Sequence, residues 1–509
     1  MKRPIRILTL ALSLLMLLTT VLLSFTSCSE TKSGGDTTTA APDVGDTTTA
    51  EEVKSKYDVG DNVPDTLKYN SEAITIISRS RDWVKDEVSV EDDDGGTISG
   101  AVMRRNKVVE NRLGVVIDNT KIDGNQYAVS EIIRNQAKTG HQYDIFANSV
   151  YSTIRYTTEN CFANLASLEY LDLSRPYWSQ GFNEAASIGN KQYFCTGAIA
   201  LSSYRFIFAT FFNVDMFKDV PDTPDLYQTV NDHKWTIDYQ IELSSKFWKD
   251  SDANGVTSED DICGFVSNCD MIGVDSYWSA FKLPILTKDA DNYLQYSLDI
   301  ERTVNAVEKM QKLFWDTEGA IGIANKSSDG EQADIAKKFS ENTAAMVTLR
   351  IIETEGEYLR SMSQTYGIVP MPMLDEEQDG YHSYAHDQMT AFGIANTTPY
   401  DRREMLGAFL EVMASESYRV VTPAYYEVAL KSRYTKDPAS WEMLDLITEN
   451  LYIDPGVLYT KNISSVHQKF RDIVGDKLGG IATRFKQLER TVVNNCNALN
   501  EGLRSLTDD

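Results

Sequence analysis

The 509-residue chain lacks the short motifs of several common enzyme classes. It has no Gly-x-Ser-x-Gly nucleophile elbow, no Gly-x-x-x-x-Gly-Lys-Ser/Thr phosphate loop and no His-Glu-x-x-His zinc motif. His382 and His386 have the i, i+4 spacing of a metal pair, but the surrounding sequence is typical of a loop. With 75 Asp and Glu residues, paired carboxylates occur everywhere and decide nothing about glycoside hydrolysis. No catalytic residue is therefore assigned.

Basic residues are scarce, because 49 Lys and Arg face 75 Asp and Glu, for a formal net charge of -26. So acidic a surface repels nucleic acid and anionic lipid head groups, which excludes a nucleic-acid partner. The simplest purpose of this charge is solubility. It says little about a ligand, because a local pocket can oppose the global field.

Cysteine is also scarce, and its pattern is not that of a disulfide framework. Beyond Cys28 the odd set comprises Cys161, Cys195, Cys263, Cys269 and Cys496. No Cys-x-x-Cys or Cys/His cluster indicates zinc. Cys263 and Cys269 are close enough in sequence to bridge a short loop, but most of these residues are expected to be small buried hydrophobes.

The N-terminus has the layout of a secretory signal. Basic Lys2, Arg3 and Arg6 precede an uncharged, Leu-rich run over residues 7–25, and Thr26 and Ser27 precede Cys28. The apolar run is also long enough to span a bilayer as an uncleaved anchor. The sequence Phe-Thr-Ser-Cys ending at Cys28 resembles the bacterial lipobox, with Phe in place of the usual Leu. That resemblance implies removal of residues 1–27 and lipidation of Cys28 on the outer face of the bacterial cytoplasmic membrane.

Residues 28–65 are expected to form a flexible tether. They contain two Asp-Thr-Thr-Thr-Ala runs and hardly any large apolar residue. Such a stretch buries too little surface to fold.

From residue 66 onward, strands and helices alternate. β-branched runs at 73–77, 114–118 and 143–147 are separated by helical periodicity at 103–113 and 127–138. This order predicts βαβ crossovers and a parallel sheet, with ligands bound beyond the carboxyl ends of the strands. In the first half, that rule selects residues 79–83 and 148–149.

The length predicts two lobes. The passage 191–213 is expected to be rich in strands and to carry the chain into the second lobe. Further strands are expected at 262–266, 344–349, 366–371 and 389–395, with helices at 236–247, 304–314 and 481–503. The expected division is lobe 1 over 66–205, lobe 2 over 206–384, a return to lobe 1 over 385–420, and C-terminal helices, mostly of lobe 2, over 421–509.

The lipobox, the tether and the βαβ order are together similar to the family-1 extracellular solute-binding proteins of bacterial ABC importers, the maltose-binding-protein group. Residues 389–414 resemble that family's return strand and helix, and 424–447 resemble a C-terminal segment of its lipoprotein members. The resemblance implies an α/β, two-lobed periplasmic-binding-protein fold, type II-like, with a ligand cleft between lobes that closes on binding. It also implies a monomer without an organic cofactor that captures a small ligand, mono- or oligosaccharide, for ABC permease subunits. The alternatives are a surface glycan-degrading enzyme and a non-transport adhesion or sensory module.

Sugars bind to flat aromatic rings and to groups that hydrogen-bond hydroxyls. The candidate ligand residues are Trp83, Asn148, Trp178, Tyr204, Tyr277, Trp278, Arg350 and Asp387. Tyr277 and Trp278 are included because their position resembles the sugar-stacking pair of maltose-type members. In a chain with 26 Tyr and 7 Trp, however, an aromatic residue more often packs in the core. Arg79, Arg81 and Arg350 could instead favour an acidic sugar or another anion, or form salt bridges in an acid-rich protein.

One stretch fits a calcium loop, in which oxygen ligands alternate along the chain and Gly255 permits a sharp turn. The expected ligands are Asp250, Asp252, Asn254, the Val256 carbonyl, Ser258 and Asp261. Asp261 stands where the calcium-loop pattern has the longer Glu. The loop lies between a predicted helix and a predicted strand, so a structural Ca²⁺ is expected; a solvated acidic turn is the alternative.

Overall fold

The computed structural model describes residues 55–91, 95–269, 272–324, 328–435 and 437–506. The expected signal segment 1–27, Cys28 and residues 29–54 of the expected tether lie outside the described residues. Within the part of the chain that is described, no helix combines the length and the apolar character needed to cross a membrane.

Eleven strands and seventeen α-helices make up the fold in these described ranges. The strands are β1 Glu72–Arg79, β2 Val115–Ile122, β3 Ile145–Ser149, β4 Phe208–Asn213, β5 Cys263–Asn268, β6 Leu286–Lys288, β7 Leu294–Tyr296, β8 Ala320–Ile323, β9 Ala344–Arg350, β10 Tyr366–Val369 and β11 Thr390–Ile394. The α-helices are Thr97–Leu113, Gln126–Thr139, Val150–Thr153, Gln180–Ala186, Ser202–Arg205, Val214–Asp219, Leu226–Asn231, Ile237–Phe247, Ile272–Ala280, Ile300–Trp315, Ser328–Ser340, Glu357–Ser361, Tyr400–Glu416, Ser440–Glu449, Pro455–Leu458, Val466–Gly475 and Ile481–Ser505. Short 3-10 helices occupy Ile154–Glu159, Leu165–Ser167 and Ile351–Glu355, and π-helices occupy Ser417–Val421 and Ala424–Tyr434.

Lobe 1 is built on a four-stranded sheet with the order β11-β3-β1-β2. β1 is parallel to β2 and β3, while β11 returns antiparallel to β3. Ile74, Ile76 and Ile77 of β1 are fully buried, as expected where both faces of a parallel sheet are covered. The crossover helix Thr97–Leu113 ends at Gly114, whose φ of 63° is a left-handed cap.

Lobe 2 is built on a five-stranded sheet with the order β10-β4-β9-β5-β8. β5 is parallel to β8 and β9, whereas β4 is antiparallel to both β9 and β10. Of the passage 191–213, only β4 is a strand; the rest consists of turns, the short helix Ser202–Arg205 and isolated bridges such as that between Cys195 and Phe392. Outside β4, the apolar residues of this passage pack in the core without extending the sheet.

Two antiparallel segments, residues 204–208 and 384–388, cross between the lobes. Ile207 bridges Ala385, the Phe208 N–H donates to the Tyr384 carbonyl at 2.9 Å, and the His386 N–H donates to the Phe206 carbonyl at 2.9 Å. These crossing segments join each sheet to the other through short, hydrogen-bonded backbone. The fold is therefore the α/β two-lobed arrangement that was predicted.

The segment 55–65, part of the tether expected from composition, packs against the body of the protein. Tyr57 and Val63 are 7% and 4% exposed. The Arg112 guanidinium donates two hydrogen bonds to the Asp61 carboxylate, at 2.5 and 2.7 Å. A few well-placed contacts thus order a stretch whose composition alone favours disorder.

The C-terminal region contacts both lobes. The helix Val466–Gly475 packs on lobe 2, where Gln311 donates to the Ile473 carbonyl at 2.9 Å. In contrast, Ser417 accepts a hydrogen bond from Arg105 of the lobe 1 crossover helix at 3.2 Å. The five cysteines within the described residues, Cys263 and Cys269 among them, are all buried.

Candidate ligand-binding cleft

The carboxyl ends of strands from both lobes meet at the crossing segments. β1 ends at Arg79, and β9 ends at Arg350, which pairs with Phe208 at the start of β4. Six residues from these elements form what we call the interlobe cluster: Arg79, Trp83, Phe206, Arg350, His386 and Asp387. Their placement follows from parallel βαβ units, whose strand ends share one edge of each sheet.

Trp83 of lobe 1 and Arg350 of lobe 2 are in contact. The Arg350 Cζ lies 5.4 Å from the Trp83 ring centroid and 5.6 Å from that of Phe206. Phe206 packs on Trp83 with ring centroids 5.5 Å apart, and the Arg81 Cζ lies 5.3 Å from the same indole. Two guanidinium groups therefore make cation–π contacts with one half-buried indole.

Arg79 is a buried cation, only 3% exposed. Its Nη2 donates to the Gln388 carbonyl at 2.9 Å and to the Thr390 Oγ1 at 2.8 Å. Burial lowers the pKa of its guanidinium to about 10. Among the described residues, no carboxylate lies within ion-pair distance of Arg79, although Glu87 is near enough to favour its charge.

His386 lies between these cations. Burial lowers the pKa of its imidazole well below the ordinary value, and the charges of Arg350, Arg471 and Arg79 lower it further. The imidazole is therefore neutral at physiological pH. Three buried nitrogens here, His386 Nδ1, Arg79 Nε and Arg350 Nη1, have no hydrogen-bond partner in the protein. Buried polar atoms of this kind call for an explanation, since nearly all of them are paired in folded proteins.

Asp387 faces a second group of charges. Burial and the charge of Asp275 together raise the pKa of its carboxyl to about 7, against the opposing effect of Arg471 and Lys461. The Asp275 carboxylate is itself paired with Arg471 through two contacts, one of 3.1 Å. The backbone carbonyl of Asp387 accepts from the Tyr151 N–H at 2.9 Å, which ties the crossing segment to the end of β3.

The structure places Asn148 inside lobe 1 rather than at a free edge. Its amide donates to the Gln126 carbonyl and to the hydroxyls of Ser130, Ser152 and Thr153, at 2.9 to 3.1 Å. The side chain is fully buried. Asn148 thus joins β3 to the neighbouring helices.

Tyr277 and Trp278, the expected sugar-stacking pair, lie in the core of lobe 2. Both are at most 1% exposed. The Tyr277 hydroxyl donates to Gln240 at 3.0 Å, and the Trp278 ring packs on Phe470 with centroids 5.0 Å apart. The C-terminal helices cover this pair, so it presents no face to a ligand in this structure.

Trp178 and Tyr204 line a cavity of about 290 Å³ together with Ile207 of the crossing segment. Trp178 is 2% exposed, and its indole N–H donates to Glu411 at 3.1 Å. Tyr204 packs on Tyr426 with ring centroids 6.2 Å apart. Of the eight candidate ligand residues, the structure brings Trp83 and Arg350 into contact and places Asp387 on the adjoining crossing segment.

Phe206, His386 and Arg471 were missed as components of this region. Phe206 and His386 directly flank the chain crossings, so a prediction of both crossing points would have found them. Arg471 comes from a helix about 190 residues beyond Asp275, and no local pattern announces that pairing.

The calcium-loop residues are brought together in part. Carboxylate oxygens of Asp250, Asp252 and Asp261 lie within 4.8 Å of one another. The Asp261 carboxylate is held by the backbone N–H groups of Ser251 and Ser258, at 2.8 and 2.9 Å, which lower its pKa. The loop is entered from the helix Ile237–Phe247 and left through β5, as predicted. Its donors are all oxygens, which suits a hard cation.

Two further loop residues flank this cluster. The Asn254 side chain donates to Asp252 at 2.7 Å, and Val256 is 63% exposed.

Comparison with known proteins places this fold. No protein-family model matches the chain, and no curated protein matches it. Solved structures do match it over most of its length. One is a family 1 extracellular solute-binding protein from Bifidobacterium longum subsp. infantis, 13% identical with a TM-score of 0.53, covering 84% of this chain and 100% of that one.

Two further structures extend the likeness. The galacto-N-biose-/lacto-N-biose I-binding protein of the ABC transporter from Bifidobacterium longum, in complex with lacto-N-biose, is 13% identical with a TM-score of 0.53 and covers 85% of this chain and 98% of that one. UspC of M. tuberculosis is 11% identical with a TM-score of 0.50, covering 83% and 100%. At this identity the likeness defines the fold: the chain has the two-lobed α/β fold of extracellular solute-binding proteins. The two Bifidobacterium longum neighbours are binding proteins.

Proposed function

We propose that the chain is an extracytoplasmic substrate-binding lipoprotein of an ABC importer, which captures a mono- or oligosaccharide by closure of its two lobes. The interlobe cluster carries this proposal. It draws Arg79 and Trp83 from lobe 1, Arg350 from lobe 2, and His386 and Asp387 from a crossing segment. A ligand held there touches both lobes at once only when they are closed, so binding shifts the population toward the closed state.

The chemistry of the cluster suits a sugar. Indole and phenyl rings can cover the apolar face of a pyranose, while guanidinium, carboxyl and imidazole groups can hydrogen-bond its hydroxyls. The solved neighbours support the same class of ligand, since one of them is a complex with the disaccharide lacto-N-biose. Binding at strand ends without a nucleophile motif favours capture over turnover.

The test uses the mature chain, residues 28–509, with Cys28→Ser to keep it in solution. Calorimetric titration with a panel of mono- and oligosaccharides is expected to give one saturable heat with unit stoichiometry. Trp83→Ala is expected to weaken that binding by about tenfold or more, because it removes a stacking surface. Trp441→Ala removes an indole that is 38% exposed outside the cluster and serves as the matched control.

Product analysis separates the binder from the enzyme. Incubation with the same sugars is expected to leave them unchanged, whereas release of shorter products would instead identify a glycan-degrading enzyme. Saturable binding to none of the sugars would count against the transport role and favour an adhesion module.

The lipid anchor has its own test. In the full-length chain expressed in a bacterium, Cys28→Ala is expected to shift the protein from the membrane fraction to the soluble extracytoplasmic fraction and to abolish incorporation of labelled palmitate. Retention of the variant in the membrane would indicate an uncleaved anchor.

We further propose that the Asp250–Asp261 loop holds a structural Ca²⁺. Asp250, Asp252 and Asp261 supply carboxylates within 4.8 Å of one another. Asn254, Ser258 and the Val256 carbonyl are the further oxygen ligands that we propose from the calcium-loop pattern. Calcium is expected to raise the melting temperature of the mature chain by mass action, and Asp250→Asn to abolish that increase. An equal increase in the variant would indicate a solvated acidic turn.

A further inference from the structure

The interlobe cluster contains more cationic character than a neutral sugar requires. The protein as a whole carries a formal charge of -26, yet Arg81 and Arg350 contact the Trp83 indole, and the charges of Arg79 and Arg350 act on His386. This local grouping of cations contrasts with the acidic character of the whole chain. It is the feature that distinguishes this cleft from a generic sugar site.

The two buried arginines differ in their partners. Arg350 is ion-paired with Glu353 at 2.9 Å, but its Nη1 is buried without a partner. Arg79 hydrogen-bonds only uncharged oxygens in the contacts described above, and its Nε is buried without a partner. Both side chains are at least nine-tenths buried, at 3% and 4% exposure.

The nearby carboxylates of Glu87 and Glu355 are hydrogen-bonded to groups other than Arg79. The oxygens of Glu87 accept hydrogen bonds from the Ser202 N–H and from the Thr390 Oγ1, the latter at 2.6 Å. Glu355 is engaged by Arg205 through two contacts of 2.8 and 3.0 Å. A buried guanidinium nitrogen without an acceptor is disfavoured, so the unpartnered Nε of Arg79 and Nη1 of Arg350 indicate that an acceptor arrives from outside the chain. Because both groups are cationic, an anion suits them best.

Arg105 shows what a structural buried arginine looks like in this protein. It is fully buried, yet each of its nitrogens donates to an oxygen, at distances of 2.7 to 3.2 Å. Arg79 and Arg350, in contrast, each have a buried nitrogen without an acceptor. Arg105 therefore has the hydrogen bonds of a structural residue, whereas Arg79 and Arg350 retain unused donors at the junction of the lobes.

Resting on the proposed function, we infer that the captured sugar carries a carboxylate, as a uronic acid does, and that Arg79 and Arg350 bind this carboxylate between the lobes. A guanidinium matches the planar, two-oxygen geometry of a carboxylate, and one arginine comes from each lobe. The carboxylate therefore bridges the lobes, and Trp83 lies beside it to contact the ring.

Calorimetric titration of the mature Cys28→Ser chain with matched sugar pairs tests this inference. The pairs are glucose with glucuronate, galactose with galacturonate, and galactobiose with digalacturonate, with glucose 6-phosphate as the competing anion. At least one acid is expected to bind about tenfold or more tightly than its neutral partner. Arg350→Gln is expected to remove this preference, whereas Arg302→Gln, which breaks a remote pair with Asp375, is expected to retain it.

The outcomes separate the two proposals. Neutral sugars that bind as tightly as their acids would overturn the carboxylate inference and leave sugar capture standing. A preference for the phosphate would also overturn it, because the bound oxyanion would then be tetrahedral. If no sugar of either kind binds, both proposals fail.

The melting temperatures of two arginine variants, measured without ligand, provide a second test of the inference. Because Arg79 is an incompletely partnered buried charge, Arg79→Met is expected to leave the melting temperature of the ligand-free chain unchanged or to raise it. Arg105→Met is expected to lower it, because the fully bonded guanidinium is lost. Equal losses of stability in both variants would show that Arg79 is a structural residue and would overturn the inference.

Discussion

Glu411 offers a quantitative check on the buried electrostatics of lobe 1. It is fully buried, and its carboxyl accepts hydrogen bonds from the Tyr177 hydroxyl, the Trp178 indole N–H and the Asp172 N–H. Burial raises its pKa from 4.5 to about 7, against these hydrogen bonds, which lower it. The perturbation is Glu411→Gln, which removes the charge and keeps the shape.

The expected magnitude follows from the pKa. A folded-state value of about 7 against 4.5 means that ionisation of Glu411 costs the folded state about 3 kcal/mol. Because the pKa of Glu411 is higher in the folded state than in the unfolded state, the protonated carboxyl contributes to the free energy of unfolding. This contribution is fully present below pH 4.5 and is lost as the pH rises through about 7. Gln can satisfy the site, because its Oε1 accepts from Trp178 and its amide donates to a rotated Tyr177 hydroxyl.

The assay is the melting temperature of wild type and Glu411→Gln from pH 4.5 to 8.5. The advantage of the variant is expected to grow by a few degrees across this range and to level off above about pH 7.5. The control is Glu404→Gln, an exposed residue of the same helix, which is expected to show no such trend. A pH-independent difference, or a variant that is less stable at pH 8, would refute the reasoning.

Three further predictions follow from the packing. Trp278→Ala is expected to lower the free energy of unfolding by about 3 to 5 kcal/mol, because the indole is buried in the core of lobe 2, and the melting temperature is expected to fall strongly. A loss of ligand affinity at unchanged stability would instead show that Trp278 is a ligand contact. Glu355→Gln is expected to lower the free energy of unfolding by about 3 kcal/mol, because it removes the ion pair of Arg205 beside the crossing segments. In a double-mutant cycle, the double variant with Arg205→Met is expected to recover most of this loss. Additive losses would show that the two residues are not coupled. A chain beginning at residue 66 is expected to melt several degrees below one beginning at 55, since it lacks Tyr57 and the Asp61 contact with Arg112; equal melting temperatures would mean that 55–65 is a free tether.

Periodicity predicted most of the elements. β-branched runs located β1, β3, β5 and β9 to within two residues at each end, because a doubly covered parallel strand must be apolar throughout. β2 extends to Ile122, beyond the predicted end at residue 118, because this edge strand continues through polar residues. Helical periodicity at 103–113 gave the end of the crossover helix at Leu113, although the helix begins earlier, at Thr97. Composition misjudged residues 55–65, since disorder depends on whether a few apolar and charged groups find partners. The pair Asp61 and Arg112 is separated by about 50 residues and leaves no local signature.

The site was predictable only where a local rule applied. Trp83 follows the end of β1 and Arg350 ends β9, so both lie where the strand-end rule expects ligand residues, and the structure brings them into contact. Trp278 follows a strand as well, but the helix Val466–Gly475 covers it, and the position of that helix is set by tertiary packing. Whether an aromatic ring faces a cleft or a core is decided by what packs over it, which sequence spacing does not encode.

The most direct test of the central claim is a distance between the lobes, measured by electron spin resonance between labels at Lys107→Cys on lobe 1 and Glu242→Cys on lobe 2. Both positions are exposed, whereas the five native thiols in the described residues are buried, which favours labelling at the introduced sites. Titration with the sugar identified by calorimetry is expected to shift the distance distribution saturably, and Trp83→Ala to require more sugar for the same shift. A distribution that stays unchanged at saturating sugar would contradict capture by lobe closure.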